Sequence, residues 1–124
     1  MHLKIISINE DKSDPLYASE DCRQLIDSMN EYYPVIGFHL PWVGYFVISN
    51  NKVMGTGGFT GQPKEGTVEI AYWTFKEFEG QGVASFACKE LVAIARKTNP
   101  TITITAKTAP EQNASVRILQ KNGF

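Results

Sequence analysis

Gly80 and Gly82, in the stretch Glu79-Gly80-Gln81-Gly82-Val83-Ala84-Ser85, put small residues where a strand hands over to a helix. Such a turn can bind an anion. Small side chains let the backbone come close, and the free N–H groups and positive end of the helix dipole point at the bound charge. The two glycines would equally allow only a tight strand-to-helix turn, so the spacing alone decides nothing. Two more specific nucleotide sites are excluded. A dinucleotide fingerprint needs a third glycine where Ser85 stands and an acid at the end of the next strand, where Ala106, Lys107 and Thr108 stand. A P-loop needs GxxxxGK[ST], a string this sequence lacks. The second candidate is Glu69, inside the otherwise apolar run TVEIAYWT at residues 67–74 and on the same strand face as Ala71 and Trp73. Partial burial there would raise a carboxyl's pKa toward the range of a general base, whereas a solvated face or a nearby surface lysine would give it no such role.

These residues need elements to hold them. Residues 3–8 read as a first, β-branched strand that Ser13 to Pro15 break. Ser19 caps a helix: Glu20, Asp21 and Cys22 lead into Leu25, Ile26 and Met29 at helical spacing up to about Tyr32, and Pro34 ends it. Residues 34–42, with Gly37 and two prolines among bulky side chains, suit an ordered, irregular segment of the kind that lines pockets. Strand-like runs at 43–49 and 52–60 flank Asn50-Asn51, which tolerate the positive φ of a tight hairpin. After a second turn marked by Gly61, Pro63 and Gly66, residues 67–74 make the best strand by β-propensity, completing an antiparallel meander. Val83, Phe86, Ala87, Leu91, Ile94 and Ala95 give residues 82–97 a core-facing helical stripe, with Trp73 and Phe86 read as core. Residues 101–106 alternate as a strand, closing a βαβ unit around the glycine turn, and 115–121 read as a last helix with Gly123 behind it.

Composition sets the frame. A chain of 124 residues, 43% hydrophobic and 20% charged, is one globular domain able to bury a core without disulfides or a metal. The net charge of -1 is far from the basic excess of a general nucleic-acid binder. Residues 1–62 carry 4 basic and 7 acidic side chains against 8 and 6 in residues 63–124, so the second half suits an anionic ligand better. Cys22 and Cys88, with no metal-ligand spacing, read as reduced thiols, and no metal is expected. With no signal peptide and no run of about 20 apolar residues, the expectation is a cytoplasmic protein without a membrane partner.

Taken together, VEIAYWTF at 68–75, EFEGQGVAS at 77–85 and TAPEQNASVRILQKNGF at 108–124 resemble the GNAT superfamily of acetyl-CoA-dependent N-acetyltransferases. The resemblance covers roughly residues 42–124 and is closest to the branch of the ribosomal-protein N-terminal acetyltransferases, whose last motif typically reads PEN-x-AS-x-R-x-L-x-K-x-GF. It implies an α+β fold of the α/β three-layer type: a mixed, mostly antiparallel, twisted sheet with helices on both faces and a splayed central strand pair. It implies acetyl-CoA as co-substrate, with the pantetheine arm on the backbone of Ala71, Tyr72, Trp73 and Thr74 and the pyrophosphate held by Gly80, Gln81, Gly82, Val83, Ala84 and Ser85. Glu79 replaces the Gln or Arg that opens the family motif, which disfavours side-chain contact with phosphate and leaves main-chain contact intact. Gln112 replaces the usual Asn, so Asn113 and Ser115 are the cofactor contacts the last motif offers.

Direct acetyl transfer needs a deprotonated amine, a polarised thioester carbonyl and a proton for the thiolate. Glu69 is the candidate base. Many relatives place a Tyr acid where this chain has Leu119, which leaves Tyr72, a water or no dedicated acid. Tyr32, Tyr33, Phe38, His39 and Trp42 cluster where the resemblance implies acceptor entry, although each residue type is more often a packing residue. The expected acceptor is a peptide or small-molecule primary amine. The alternative is a non-catalytic acyl-CoA sensor or interaction module on the same fold, and a third option is an interaction domain with no ligand. Relatives continue past the Gly-Phe pair with a further strand, so an ending at Phe124 implies either a shortened sequence or a second copy, as in a homodimer, covering the open sheet edge.

Overall fold

The computed structural model describes residues 1–107, whose five strands form one sheet in chain order: β1 (His2–Ile5), β2 (Gly44–Ser49), β3 (Lys52–Phe59), β4 (Thr67–Thr74) and β5 (Thr103–Lys107). The first four are antiparallel neighbours, and β5 runs parallel to β4. Asn50 and Asn51, at φ 52° and 59°, close the β2–β3 hairpin in the left-handed conformation that suits strand twist. A second tight turn, through Glu65 and Gly66, is pinned by reciprocal backbone bonds between Lys64 and Thr67 at 2.8 and 2.9 Å. Two helices connect the rest, α1 (Glu20–Ile36) and α2 (Val83–Thr98), with 3-10 turns at Pro15–Tyr17 and Lys76–Phe78.

The helices cover opposite faces. A Cβ on Gly57 would sit 3.1 Å from Ala87 and Leu91 of α2, whereas one on Gly44, which pairs with Gly58, would sit 2.9 Å from Met29 of α1. Because neighbours on a strand point to opposite sides, Val68, Ile70 and Tyr72 face α2, while Glu69, Ala71 and Trp73 lie on the α1 side. Val83, Ala87 and Leu91 are buried against the sheet by α2; Cys22, Ile26 and Tyr33 are the buried positions of α1.

Several expectations shift, and β5 begins at Thr103 rather than at residue 101. α1 runs through Pro34 to Ile36, because a proline in the last turn forfeits only the bond to the Asn30 carbonyl, and Gly37 N–H closes the helix on Tyr33 O at 2.7 Å. The irregular segment therefore shrinks to the residues after Ile36. β1 stops at Ile5 because the chain turns there, with the Glu10 carboxylate accepting from Ser7 N–H at 2.7 Å and Asn9 at φ 59°. Trp73 is not core: among the described residues it is 53% exposed, with Phe75 as its aromatic ring partner, edge-on at 5.2 Å. Phe86 packs, half-buried, against Val83 and Ala87 as expected. The helix expected at 115–121 lies outside the described residues.

Candidate active site on β4

β4 pairs with β5 from Thr67↔Thr103 to Ala71↔Lys107, and then continues through Tyr72, Trp73 and Thr74 against Gly57, Thr56 and Gly55 of β3. Beyond Thr74 the chain makes the Lys76–Phe78 turn and enters α2 through Gly80 and Gly82, at φ 81° and 79°. Only glycine takes that left-handed geometry without strain, and among the described residues a Cβ at either position would meet no atom within 4 Å, so they leave the approach to the backbone open. Helix geometry leaves the N–H groups of Val83, Ala84 and Ser85 without intrahelical partners, and the first turn of α2 holds no acid. The exposed Glu79 lies just before this turn and lowers its positive potential. A helix start of this kind can hold an anion through its main chain.

On the α1 face of the same strand lies an apolar cavity of about 360 Å³. Leu25, Met29 and Tyr32 wall it from α1, Gly44, Gly58 and Ala71 contribute their small surfaces from the sheet, and Thr56 and Trp73 close one end. A Cβ on Gly44 would lie 2.9 Å from Met29 of α1, so glycine there keeps this space open. The Tyr32 hydroxyl donates to the Thr60 carbonyl at 3.2 Å, tying α1 to the end of β3. Thr60 also borders a second, polar cavity of about 580 Å³, with Gln62, Lys64, Thr67, Glu69 and Thr105 around it. Thr60 N–H donates to Glu69 O at 3.0 Å, so the two residues face each other across the strands and form the seam between the cavities.

The structure separates the expected site residues into three groups. Glu69, Ala71, Trp73 and Tyr32 converge on these cavities. Tyr72 borders the apolar cavity, yet its ring is on the α2 side, with its Cβ 3.6 Å from a Cβ built on Gly57, so it does not share a face with Glu69. Tyr33, His39 and Trp42 do not line either cavity. Tyr33 is a core strut whose hydroxyl donates to Ile6 O and accepts from Gly44 N–H at 3.2 Å. Trp42 packs edge-on against Phe59 at 5.0 Å, and the exposed His39 lies over Gly37. Asn113 and Ser115 lie outside the described residues. Leu25 and Met29 were read from the sequence only as apolar helix positions, and Thr60 and Lys64 were not assigned to the site; the signal for them was the run of glycines inside β3, since glycine in a strand marks close approach or open space.

Both thiols are buried, and burial pushes Cys88 up and Cys22 up to about 11, so neither is a nucleophile at neutral pH. Among the described residues no group of three or more His, Cys, Asp or Glu is placed to hold a metal, and no helix is long and apolar enough to cross a membrane.

A family model described as an acetyltransferase (GNAT) domain matches residues 10–124. Among solved structures, the chain is similar to the ribosomal L7/L12 alpha-N-protein acetyltransferase RimL in complex with coenzyme A, at 20% identity and TM-score 0.63, covering 90% of this chain and 62% of that one. It is similar to the microcin C7 self-immunity acetyltransferase MccE in complex with acetyl-CoA and AMP, at 19% identity and TM-score 0.62, covering 84% and 56%. A GNAT-family acetyltransferase from Streptococcus pneumoniae aligns at 16% identity and TM-score 0.60, covering 79% and 60%. The chain thus spans about three-fifths of the length of these structures. No functionally curated protein matches it.

Proposed function

Since this chain belongs to the GNAT acetyltransferase family, we propose that it transfers the acetyl group of acetyl-CoA directly to a primary amine, on a protein N-terminus or a small molecule. The observation that carries this reading is that one strand serves two sites: residues 71–73 border the apolar cavity under α1, and the same strand leads through a single turn to the open glycine start of α2.

When bound, acetyl-CoA supplies an activated acetyl thioester. The backbone of residues 71–74 receives the pantetheine arm as an added strand, which needs no particular side chain, and the N–H groups of residues 80–85 meet the pyrophosphate. The backbone groups of Tyr72 and Thr74 turn to the edge of β4 away from β3, and an N–H on that edge polarises the thioester carbonyl. The acceptor amine enters from the α1 face, where Glu69 accepts its proton as the new C–N bond forms and the C–S bond breaks. The sulfur leaves as a thiolate, with a pKa of about 8.5, and takes its proton from water. Tyr72, on the other face of β4, contributes its main chain rather than an acid. Direct transfer is favoured over a thiol-bound intermediate because both cysteines are buried and protonated.

The test is thiol release from acetyl-CoA with a panel of primary amines. Amine-dependent release is expected, and Glu69→Gln should lower kcat/KM by about 10²-fold, at the lower end of general-base effects, with acetyl-CoA affinity unchanged. A protein that binds acetyl-CoA and releases no CoA with any amine would contradict the reading and favour an acyl-CoA sensor.

A further inference from the structure

On the α1 face, side chains paired across β3 and β4 change character in order. Thr56 stands beside Trp73, Gly58 beside Ala71, Thr60 beside Glu69, and Lys64 beside Thr67 at the hairpin end. The sheet thus presents an apolar floor, then an acid, then a cation, on one continuous surface. Glu69 and Lys64 border the same polar cavity. Among the described residues neither takes part in an ion pair, so the cavity wall carries two opposite charges that do not neutralise each other. Thr67 and Glu69 are two residues apart on one strand, which spaces the two charged positions about 7 Å apart along the sheet. The position of Lys64 is fixed by its reciprocal backbone bonds to Thr67.

We propose that the acceptor is a free amino acid with an apolar side chain, and that Lys64 is the residue that selects it. This rests on the reading above, in which the α1 face holds the acceptor. The amine lies at Glu69, the carboxylate at Lys64, and the side chain enters the apolar cavity past Ala71 toward Leu25 and Met29. A simple alkylamine fills the apolar cavity but leaves Lys64 facing a second cation, and like charges in one cavity oppose binding. A carboxylate beside the amine removes that repulsion and adds a charge-assisted contact. An acidic side chain in a peptide would bring the same carboxylate chemistry.

The experiment compares L-leucine, L-leucinamide, isopentylamine and an amidated Leu-Asp dipeptide as acceptors for the wild-type chain, Lys64→Ala and Lys64→Arg. Binding of each to the CoA-saturated protein is measured by calorimetry beside the steady-state rates. The expected KM for leucine is lower than that for leucinamide or isopentylamine by about fivefold to tenfold, the scale of a partly exposed charge contact. Lys64→Ala should erase that difference with kcat changed by less than about twofold, and Lys64→Arg should restore it; comparing ratios between variants cancels the basicity of each amine. Lysine-dependent preference for the dipeptide over leucine would overturn the free amino acid in favour of an acidic peptide. Equal KM for leucine and isopentylamine, or a preference that survives Lys64→Ala, would overturn the role of Lys64 while leaving amine acetylation intact. Lysine-dependent binding of leucine without any acetyl transfer would uphold the ligand assignment and overturn the transfer reading. Absence of both binding and transfer would overturn both.

Discussion

Glu69 and Thr60 face each other across the end of the β3–β4 ladder, and the chemistry assigned to the site turns on what the carboxylate does there. Removing its charge by Glu69→Gln keeps the shape of the seam and should lower turnover by about 10²-fold without changing cofactor affinity, a split measured by comparing steady-state rates with an acetyl-CoA titration. Tyr33 has the opposite character. Its hydroxyl is held between Ile6 O and Gly44 N–H in the core, so Tyr33→Phe leaves a buried carbonyl and a buried N–H without their partner. The expected cost is about 1–3 kcal/mol of stability, read from the urea midpoint at unchanged m-value. The sequence placed Tyr32 and Tyr33 together as acceptor residues, but adjacent residues on a helix diverge by about 100°. Tyr32 turns to the cavity and Tyr33 to the core, and only the packed helix decides which does which.

At the scale of elements, the start of α2 joins fold to function. Gly82 holds φ 79°, and Gly82→Ala meets no atom of the described residues within 4 Å but takes on the penalty of a left-handed conformation. That should destabilise the fold by about 1–2 kcal/mol and, by distorting the anion-binding turn, weaken acetyl-CoA binding by more than tenfold, as calorimetry on the folded variant would report. A fold that loses stability while keeping full cofactor affinity would remove the pyrophosphate from this turn. Gly58 tests the floor of the other site. A Cβ there would lie 2.8 Å from Gly44 Cα and 2.9 Å from Val43 O, both backbone atoms that cannot rotate away, so Gly58→Ala should lower thermal stability and distort the apolar cavity together.

β4 was legible in the sequence to the residue, because β-branched and aromatic side chains alternate between two bounding turns. The hairpin at Asn50-Asn51 and the βαβ unit were legible for similar local reasons. Pro34 misled because its cost depends on how many turns remain after it, which sequence alone does not set. That Glu69 is half-buried and Trp73 exposed depended on the packing across the sheet face, which the strand pattern does not carry. The apolar cavity was hidden for the same reason: Gly44 leaves space only relative to the helix that carries Met29 across it.

Over the whole molecule, the N-terminal strand is tied in by a polar cluster that sets how stability responds to pH. Lys4 Nζ donates to the Tyr17 hydroxyl at 2.8 Å, and that hydroxyl donates to the Glu10 carboxylate at 2.7 Å. The hydrogen bond to Tyr17, opposed by burial and helped by the charge of Glu10, raises Lys4 above its ordinary 10.5. Burial alone would raise Glu10, but its bonds to Tyr17 and Ser7 and the charge of Lys4 outweigh that and hold it below its ordinary 4.5. Burial raises Tyr17, Tyr33 and Tyr45 above 10.0. A raised pKa contributes stability that is present below the unfolded value and lost as pH climbs through the folded one; a lowered carboxyl contributes stability present above its unfolded value and lost as pH falls. The two buried thiols, raised from an ordinary 9.0, begin to cost stability before the tyrosines and Lys4 do, so the melting temperature should be flat between about pH 5 and pH 8 and fall on both sides. Tyr17→Phe, which removes both hydrogen bonds through the hydroxyl and leaves only the 3.7 Å ion pair between Lys4 and Glu10, should make both limbs shallower in a pH series of thermal melts.

The central claim is that β4 and the glycine start of α2 together hold acetyl-CoA. Isothermal titration of the purified chain with acetyl-CoA, CoA and NADH in parallel tests it most directly. The account predicts micromolar or tighter binding of acetyl-CoA and CoA and none of NADH, because the turn at Gly80 and Gly82 lacks the third glycine and the ribose-binding acid of a dinucleotide site. A folded chain that binds none of the three, or binds NADH as well as acetyl-CoA, would contradict it.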